Sequence, residues 1–327
     1  MSNPEPKLLD KLRFAIRERH YSIKTEQTYV HWCERFIRFH NIRHPSEMRE
    51  KEVEQFLTHL AVNENISAST QNVAFHAILF LYKNILHIEL KNINSVRAKQ
   101  QKNVPEIISH AECLAIINAM SGEIKLMTQL LYGSGLRLND CLRLRVKDID
   151  FNRKKITIRA TKGDKPHVTI LPDSAVIIES LKEHLKSVRK LHDYDLSTGH
   201  GSVYLPHALN RKYPNADKEW AWQYVFPSQS FSTDPRSGAV QRHHVSESML
   251  QRAIKAAAQK AGITARVSPH TFRHCFATEY LQRAIKKHGD AMAALKTLQG
   301  YLGHAGIQTT MIYLHFIDHK VGSPLDD

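Results

Sequence analysis

Three stretches of the chain carry side chains suited to phosphate chemistry. In Ser268-Pro269-His270-Thr271-Phe272-Arg273-His274, Ser is a favoured N-cap and Pro a favoured first helical residue, so a helix is expected to start here. His270 and Arg273 then sit three apart on one face near the positive end of that helix. This placement suits an anion, specifically a phosphate; a solvated helix end with surface His and Arg fits the segment equally well. Zinc fits less well. His270 and His274 are four apart, but HExxH needs Glu where Thr271 stands. His315 and His319 are also four apart and read as a polar tail. In the second stretch, Leu302-Gly303-His304 precedes Thr309-Thr310-Met311-Ile312-Tyr313-Leu314-His315. A lone helical Tyr is ordinarily core or rim. A Tyr after a Thr-Thr start and a Gly-His turn, downstream of a His–Arg segment, is less ordinary. The third stretch is Gly133-Ser134-Gly135-Leu136-Arg137-Leu138-Asn139-Asp140. Its glycines permit close backbone approach, and Arg137 and Asp140, three apart on the following helix, can pair.

Positioning these groups requires a largely helical frame. Leu8, Leu9, Leu12 and Ile16 recur at helical spacing, and Tyr29, Trp32, Cys33, Phe36 and Ile37 form a second stripe. Ser22 and Thr25 are start signals for that second helix. A third helix is expected over 50–62. A fourth runs from about 69 to 86, with Val73, Ile78, Leu79, Leu81 and Tyr82 as its core face. Residues 8–95 thus read as nearly all helix, a small bundle with short connections. The segment RAKQQKNV at 97–104 is polar, basic and aperiodic, and reads as a linker. Its Arg97, Lys99 and Lys102 can lie along a phosphate backbone, though a plain solvated loop would look the same. Beyond Pro105, helices are expected at 109–119, 125–131 and 137–144. The period then switches to two in KITIRA (155–160) and HVTIL (167–171), around the turn-rich TKGDKP. That is a hairpin with lysines at its tip. Helices resume at about 173–191, 247–261, 269–284 and 292–302, with a short one near 309–316.

The bulk numbers narrow the partners. Over 327 residues, 46 Lys and Arg face 32 Asp and Glu, a formal net charge of +14. Such a balance favours polyanions: DNA, RNA or an anionic membrane. No basic amphipathic helix with a strongly apolar face stands out, and no apolar run reaches transmembrane length. The start MSNPEPKLLDKLR lacks a secretory core. A soluble cytoplasmic chain with no membrane partner is therefore expected. The four cysteines are scattered without a CxxC pair, which reads as buried thiols in a reducing compartment.

Taken together and in order, GSGLRLND at 133–140, TKGDKP at 161–166, HTFRH at 270–274, LGH at 302–304 and TTMIYLH at 309–315 resemble the tyrosine recombinase (phage integrase) family. The resemblance implies a mainly α fold with a small β-hairpin or sheet. A SAM-like helical core-binding domain would occupy 1–96, a basic linker 97–104 and the catalytic domain 105–327, the whole forming a clamp around DNA. It implies Tyr313 as the nucleophile, joined to a 3′-phosphate, with Arg137 and Arg273 on the non-bridging oxygens. Lys162 would protonate the leaving 5′-oxygen. His270 would be a general base toward Tyr313 or the returning hydroxyl, His304 would hydrogen-bond the phosphate, and Asp140 would orient its neighbours. Because the covalent link stores the bond energy, no metal, ATP or other cofactor is implied. Partners would be duplex attachment sites, bound by a homotetramer that is a monomer in solution. Strands would be exchanged in two rounds.

A narrower resemblance is to bacterial integron integrases, which carry an extra segment between the hairpin and the HxxRH helix. Here it falls around 200–245, with LPHALNRKYPNA at 205–216, WQYVFPS at 222–228, Asp234-Pro235-Arg236 and Arg242-His243-His244. That implies a folded single-stranded cassette site as a further partner. By position, Trp222, Pro235, His243 and His244 match residues around its extrahelical bases, while an insertion anchored by Trp220 and Trp222 is the plainer alternative. Two features depart from the family. The interval from Arg273 to His304 is longer than usual by about two helical turns, within 285–298. His167 stands where many relatives have Arg. The alternatives are a Xer-like or phage-type integrase acting on duplex sites, or a non-catalytic DNA-binding protein of the same fold.

Overall fold

Serine hydroxyls start helix after helix in the computed structural model. Ser22, Ser67, Ser109, Ser246 and Ser268 each accept a backbone N–H from three positions on, satisfying a donor that the first helical turn leaves unpaired. The structure describes residues 7–96, 98, 107–159, 165–205 and 207–317. The chain divides into two compact units, 1–104 and 105–327. It is mostly helical with small sheets, and among the described residues no helix is long and apolar enough to cross a membrane.

The first unit packs α1 (Leu8–Glu18), α2 (Ile23–Phe39), α3 (Glu50–Val62) and α4 (Ala68–Leu81) around Leu12, Ile16, Cys33, Phe36, Phe56, Leu60 and Ile78. Two expectations change here. Val73 is exposed, and the inward stripe of α4 is instead Gln71, Ala74, Ala77, Ile78 and Leu81. Small residues let α4 approach α2 closely. The buried Gln71 amide spends its donors on the carbonyls of Leu57 and Val96. Helix also stops early: after the π turn Tyr82–Leu86, His87 adopts a left-handed φ of 56° and the chain runs without helix to 96. Its N–H groups find partners on one stripe of α3. Lys91 donates to Glu50, Asn94 to Glu54 and Val96 to Thr58.

The second unit opens with α5 (His110–Asn118), α6 (Gly122–Ser134) and α7 (Leu138–Leu142). The last is shorter than expected, with Arg137 before it at the N-cap. A three-stranded antiparallel sheet follows in the order β1 (Ile149–Asp150), β2 (Lys155–Ile158), β3 (His167–Ile170), with Ile158 facing His167 at the expected hairpin. Then come α8 (Ala175–Ser197), α9 (His207–Lys212), the hairpin β4 (Pro227–Thr233) and β5 (Val240–His244), and α10 (Glu247–Lys260), α11 (Pro269–His288), α12 (Ala291–Leu302) and α13 (Gln308–Met311). α13 runs into a 3-10 turn, Ile312–Phe316. The long Arg273–His304 interval resolves into helix: α11 continues to His288, Gly289 caps it at a left-handed φ of 70°, and the Asp290 carboxylate starts α12. The core gathers Met127, Leu130, Leu131, Phe226, Phe272 and Cys275, and a second cluster joins Phe276, Leu281, Leu295, Leu298 and Leu302 to Tyr313. All four cysteines are free and buried.

Candidate active site

The site is built where helix ends meet. Arg273, 4% exposed, lies in the first turns of α11. Its guanidinium donates 2.7 Å to the Gly135 carbonyl at the end of α6 and 2.6 Å to the Leu302 carbonyl at the end of α12. Carbonyls at helix C-termini lack intrahelical partners and carry partial negative charge. Two such ends therefore stabilise a buried cation that would otherwise be costly. Gly135 and Gly303 terminate these helices at left-handed φ values of 64° and 63°. Gly135 has the side chain of Phe276 packed against its Cα, and Gly303 that of His167.

The same guanidinium donates 3.2 Å to His304 Nε2. Arginine has no acceptor, so Nε2 carries the lone pair and Nδ1–H donates 3.0 Å to the buried Thr310 hydroxyl. Burial first, then the charges of Arg273 and Arg137, pushes His304 down to about 4, which keeps this tautomer neutral. Tyr313, 1% exposed, places its hydroxyl 2.8 Å from His274 Nδ1. Burial raises its pKa, and Arg273 and Arg137 oppose that rise. His274 is pushed down to about 4 by burial, then by His270 and Arg273.

Arg137 is half-buried, with Nη1 4.0 Å from Asp140, while its backbone N–H donates 3.3 Å to the same carboxylate. Asp140 is thus the α7 capping acceptor as well as the partner of Arg137. Burial raises its pKa against the pull of Arg137. His270 is exposed at the start of α11 and is lowered by partial desolvation, then by Arg273 and Arg137. The structure therefore brings Arg137, Asp140, His270, Arg273, His304 and Tyr313 into one neighbourhood. It adds His167, whose buried Nδ1 has no hydrogen-bond partner among the described residues, and His274. Lys162, Lys99 and Lys102 lie outside the described residues. The His274–Tyr313 contact has no sequence signal; the spacing of His274 from His270 bears only on zinc. Among the described residues, no cluster of His, Cys, Asp or Glu is arranged to hold a metal ion.

The inserted segment makes a separate centre. Trp222 is 8% exposed, packed with Leu205 and Ala216, and the Lys147 ammonium covers its ring. The ring anchors the insertion in this conformation and is not presented for stacking. Burial, then Arg159, lowers Lys147 to about 8. Arg145 lies over Tyr224 at 3.5 Å and donates to the carbonyls of Trp222 and Tyr204. Half-buried His243 and His244 lie with ring centroids 4.0 Å apart, tilted to each other, and pack against the same Tyr224 at 5.4 and 5.3 Å, His244 edge-on. Pro235 is exposed at the tip of the β4–β5 hairpin, next to Asp234, which accepts the Arg236 N–H. At the base of the hairpin, the Arg242 guanidinium donates two buried hydrogen bonds to the Asp195 carboxylate of α8, at 2.5 and 2.7 Å.

Comparison with known proteins agrees with this architecture along nearly the whole chain. The description "Phage integrase, N-terminal SAM-like domain" matches residues 8–92 and "Phage integrase family" matches residues 100–319. An "Integrase/recombinase" of Escherichia coli is 43% identical over 326 residues, covering 98% of this chain and 93% of that protein. A "Tyrosine recombinase XerC" of Lacticaseibacillus casei is 25% identical over 315 residues, covering 91% and 90%. The fold is shared with a lambda integrase tetramer bound to a Holliday junction, at a TM-score of 0.61 and 15% identity over 94% of this chain and 76% of that one. It is also shared with a XerH recombinase bound to its difH substrate, at 0.58 and 20% over 95% and 82%. The chain belongs to the phage integrase family, the tyrosine site-specific recombinases.

Proposed function

We propose that this chain cleaves and rejoins DNA through a 3′-phosphotyrosyl link at Tyr313, with Arg137 and Arg273 on the scissile phosphate. The observation that carries this reading is that both arginines act on the buried Tyr313, with Arg273 bonded to His304. Planar guanidinium donors match phosphate oxygens better than an ammonium does, and fixed donors aimed at developing charge stabilise the transition state. His304 acts on the phosphate through Arg273, from whose guanidinium it accepts at Nε2, and Asp140 fixes Arg137. His270, exposed at a helix start, acts as general base on the returning 5′-hydroxyl, and Lys162 protonates the 5′-oxygen as it leaves. Strand exchange on paired sites requires a tetramer.

The finer part of the proposal is that this is an integron-type enzyme, moving cassettes between a duplex site and a folded single strand. The inserted hairpin with its cluster of Tyr224, His243 and His244 rings supports it, since stacking on extrahelical bases identifies such a substrate. The Xer-like reading, acting on duplex sites alone, is supported by the resemblance to XerC. In the test, the protein is incubated with a pool of nicked duplexes of randomised sequence, and covalently trapped DNA is recovered from a denaturing gel. An adduct lost in Tyr313→Phe supports the mechanism, and one that survives refutes it. For the subgroup, residues 232–241 are replaced by a two-residue Asn-Gly turn, which keeps the Phe231–Arg242 pairing. Loss of folded single-strand cleavage with duplex cleavage retained is expected. Equal retention of both removes the integron reading.

A further inference from the structure

His274 has no part in that scheme, yet it holds the reacting atom. We infer that His274 is the general base that takes the Tyr313 proton on cleavage and returns it on rejoining. The inference rests on the reading of Tyr313 as nucleophile. Tyr313 Oη lies 2.8 Å from His274 Nδ1, within direct proton-transfer reach. Among the described residues, the hydroxyl hydrogen-bonds to His274 and not to His270.

Both rings are held by their surroundings. His274 follows Arg273, whose fork is clamped to two helix ends, and precedes Cys275, whose thiol donates to the Ile108 carbonyl at 3.3 Å. Tyr313 is packed into the cluster of Phe276, Leu295 and Leu302. The charged and titratable groups facing the pair are His270 and Arg273 from α11, His304 from the turn after α12, and Arg137 from the start of α7. They and burial keep the imidazole neutral, and in its Nε2–H tautomer Nδ1 accepts the phenol's hydrogen.

The atoms balance in both directions. On cleavage the Tyr313 Oη–phosphorus bond forms, the phosphorus–O5′ bond breaks, the phenolic proton passes to His274, and O5′ takes a proton from Lys162. On rejoining each transfer reverses, the 5′-hydroxyl proton passing through His270 back to Lys162 and the His274 proton returning to the Tyr313 oxygen. Without DNA, Arg273 disfavours a proton on His274. A phosphodiester, and more so its doubly charged transition state, offsets that charge and raises the proton affinity of the ring when the phenol must ionise.

The test uses the nicked duplex recovered by trapping, in single-turnover cleavage by the full chain. His274→Asn keeps an acceptor near the Nδ1 position but cannot hold the proton. Expected are wild-type DNA binding, cleavage slowed about 100-fold or more, and a rate that climbs with pH. Sulfur in place of the bridging 5′-oxygen needs little protonation to leave. It should rescue Lys162→Ala and leave His274→Asn slow. His274→Asn cleaving within about threefold of wild type, or rescue of that variant by the sulfur substrate, overturns the inference. An adduct that survives Tyr313→Phe overturns the parent reading instead.

Discussion

A buried guanidinium is stable only when its N–H groups meet acceptors, and Arg273 shows how one residue organises its neighbours. Two backbone carbonyls fix its plane, and that plane fixes which nitrogen of His304 is bare. The tautomer is then locked from the far side by Thr310. Removing that lock tests whether it matters. Thr310→Val is nearly isosteric but leaves the buried His304 Nδ1–H unpaired, at about 1–3 kcal/mol. Cleavage of the nicked duplex is expected to fall roughly 5- to 100-fold, with the melting curve lowered and Thr310→Ser close to wild type. A Thr310→Val enzyme with wild-type cleavage would show that His304 does not depend on this bond.

At the scale of elements, the site is a meeting of termini: the ends of α6 and α12 and the starts of α7 and α11. Gly303 joins two of these requirements. It ends α12 at a φ of 63°, and a Cβ there would lie 2.5 Å from the His167 ring. Gly303→Ala is therefore expected to destabilise the protein by about 1–3 kcal/mol from backbone strain, plus the displacement of His167, and to depress cleavage through His304. Thermal melting and single-turnover cleavage read both effects, and an unchanged melting temperature excludes them. The helix starts were legible because caps are local chemistry: Ser22, Ser109 and Ser268 stand where expected, and α3 has the predicted span. The β4–β5 hairpin was not legible, since PSQSFST lacks the β-branched alternation that marks a strand. Nor was the inward face of α4, because an apolar Val73 among alanines does not reveal which side packs. The Arg273, His304 and Tyr313 types were readable from motifs, whereas the bond from Tyr313 to His274, 39 residues away, is made by the packing of α11 against the final turn and has no local signature.

At the scale of the whole molecule, the excess of 46 basic over 32 acidic residues suits a polyanionic partner. It also bears on the histidines, which sit among cations. His244, His274 and His304 are each held at about 4, in every case by burial first and then by neighbouring imidazoles or guanidinium groups. An unfolded histidine titrates near 6.5. Between about 4 and 6.5 the unfolded chain therefore binds more protons than the folded one, and stability rises with pH across that window. The contribution of these residues is complete above about 6.5 and is lost as the pH falls toward 4. Melting temperatures measured at fixed ionic strength should fall steadily over that range. Because His244 lies at the insertion and the other two at the arginine cluster, His244→Asn should flatten part of the slope while leaving cleavage of the nicked duplex intact. A melting temperature that is level from pH 6.5 to pH 4 would mean that these rings accept protons in the folded state as readily as in water, contrary to their burial beside Arg273 and Arg145.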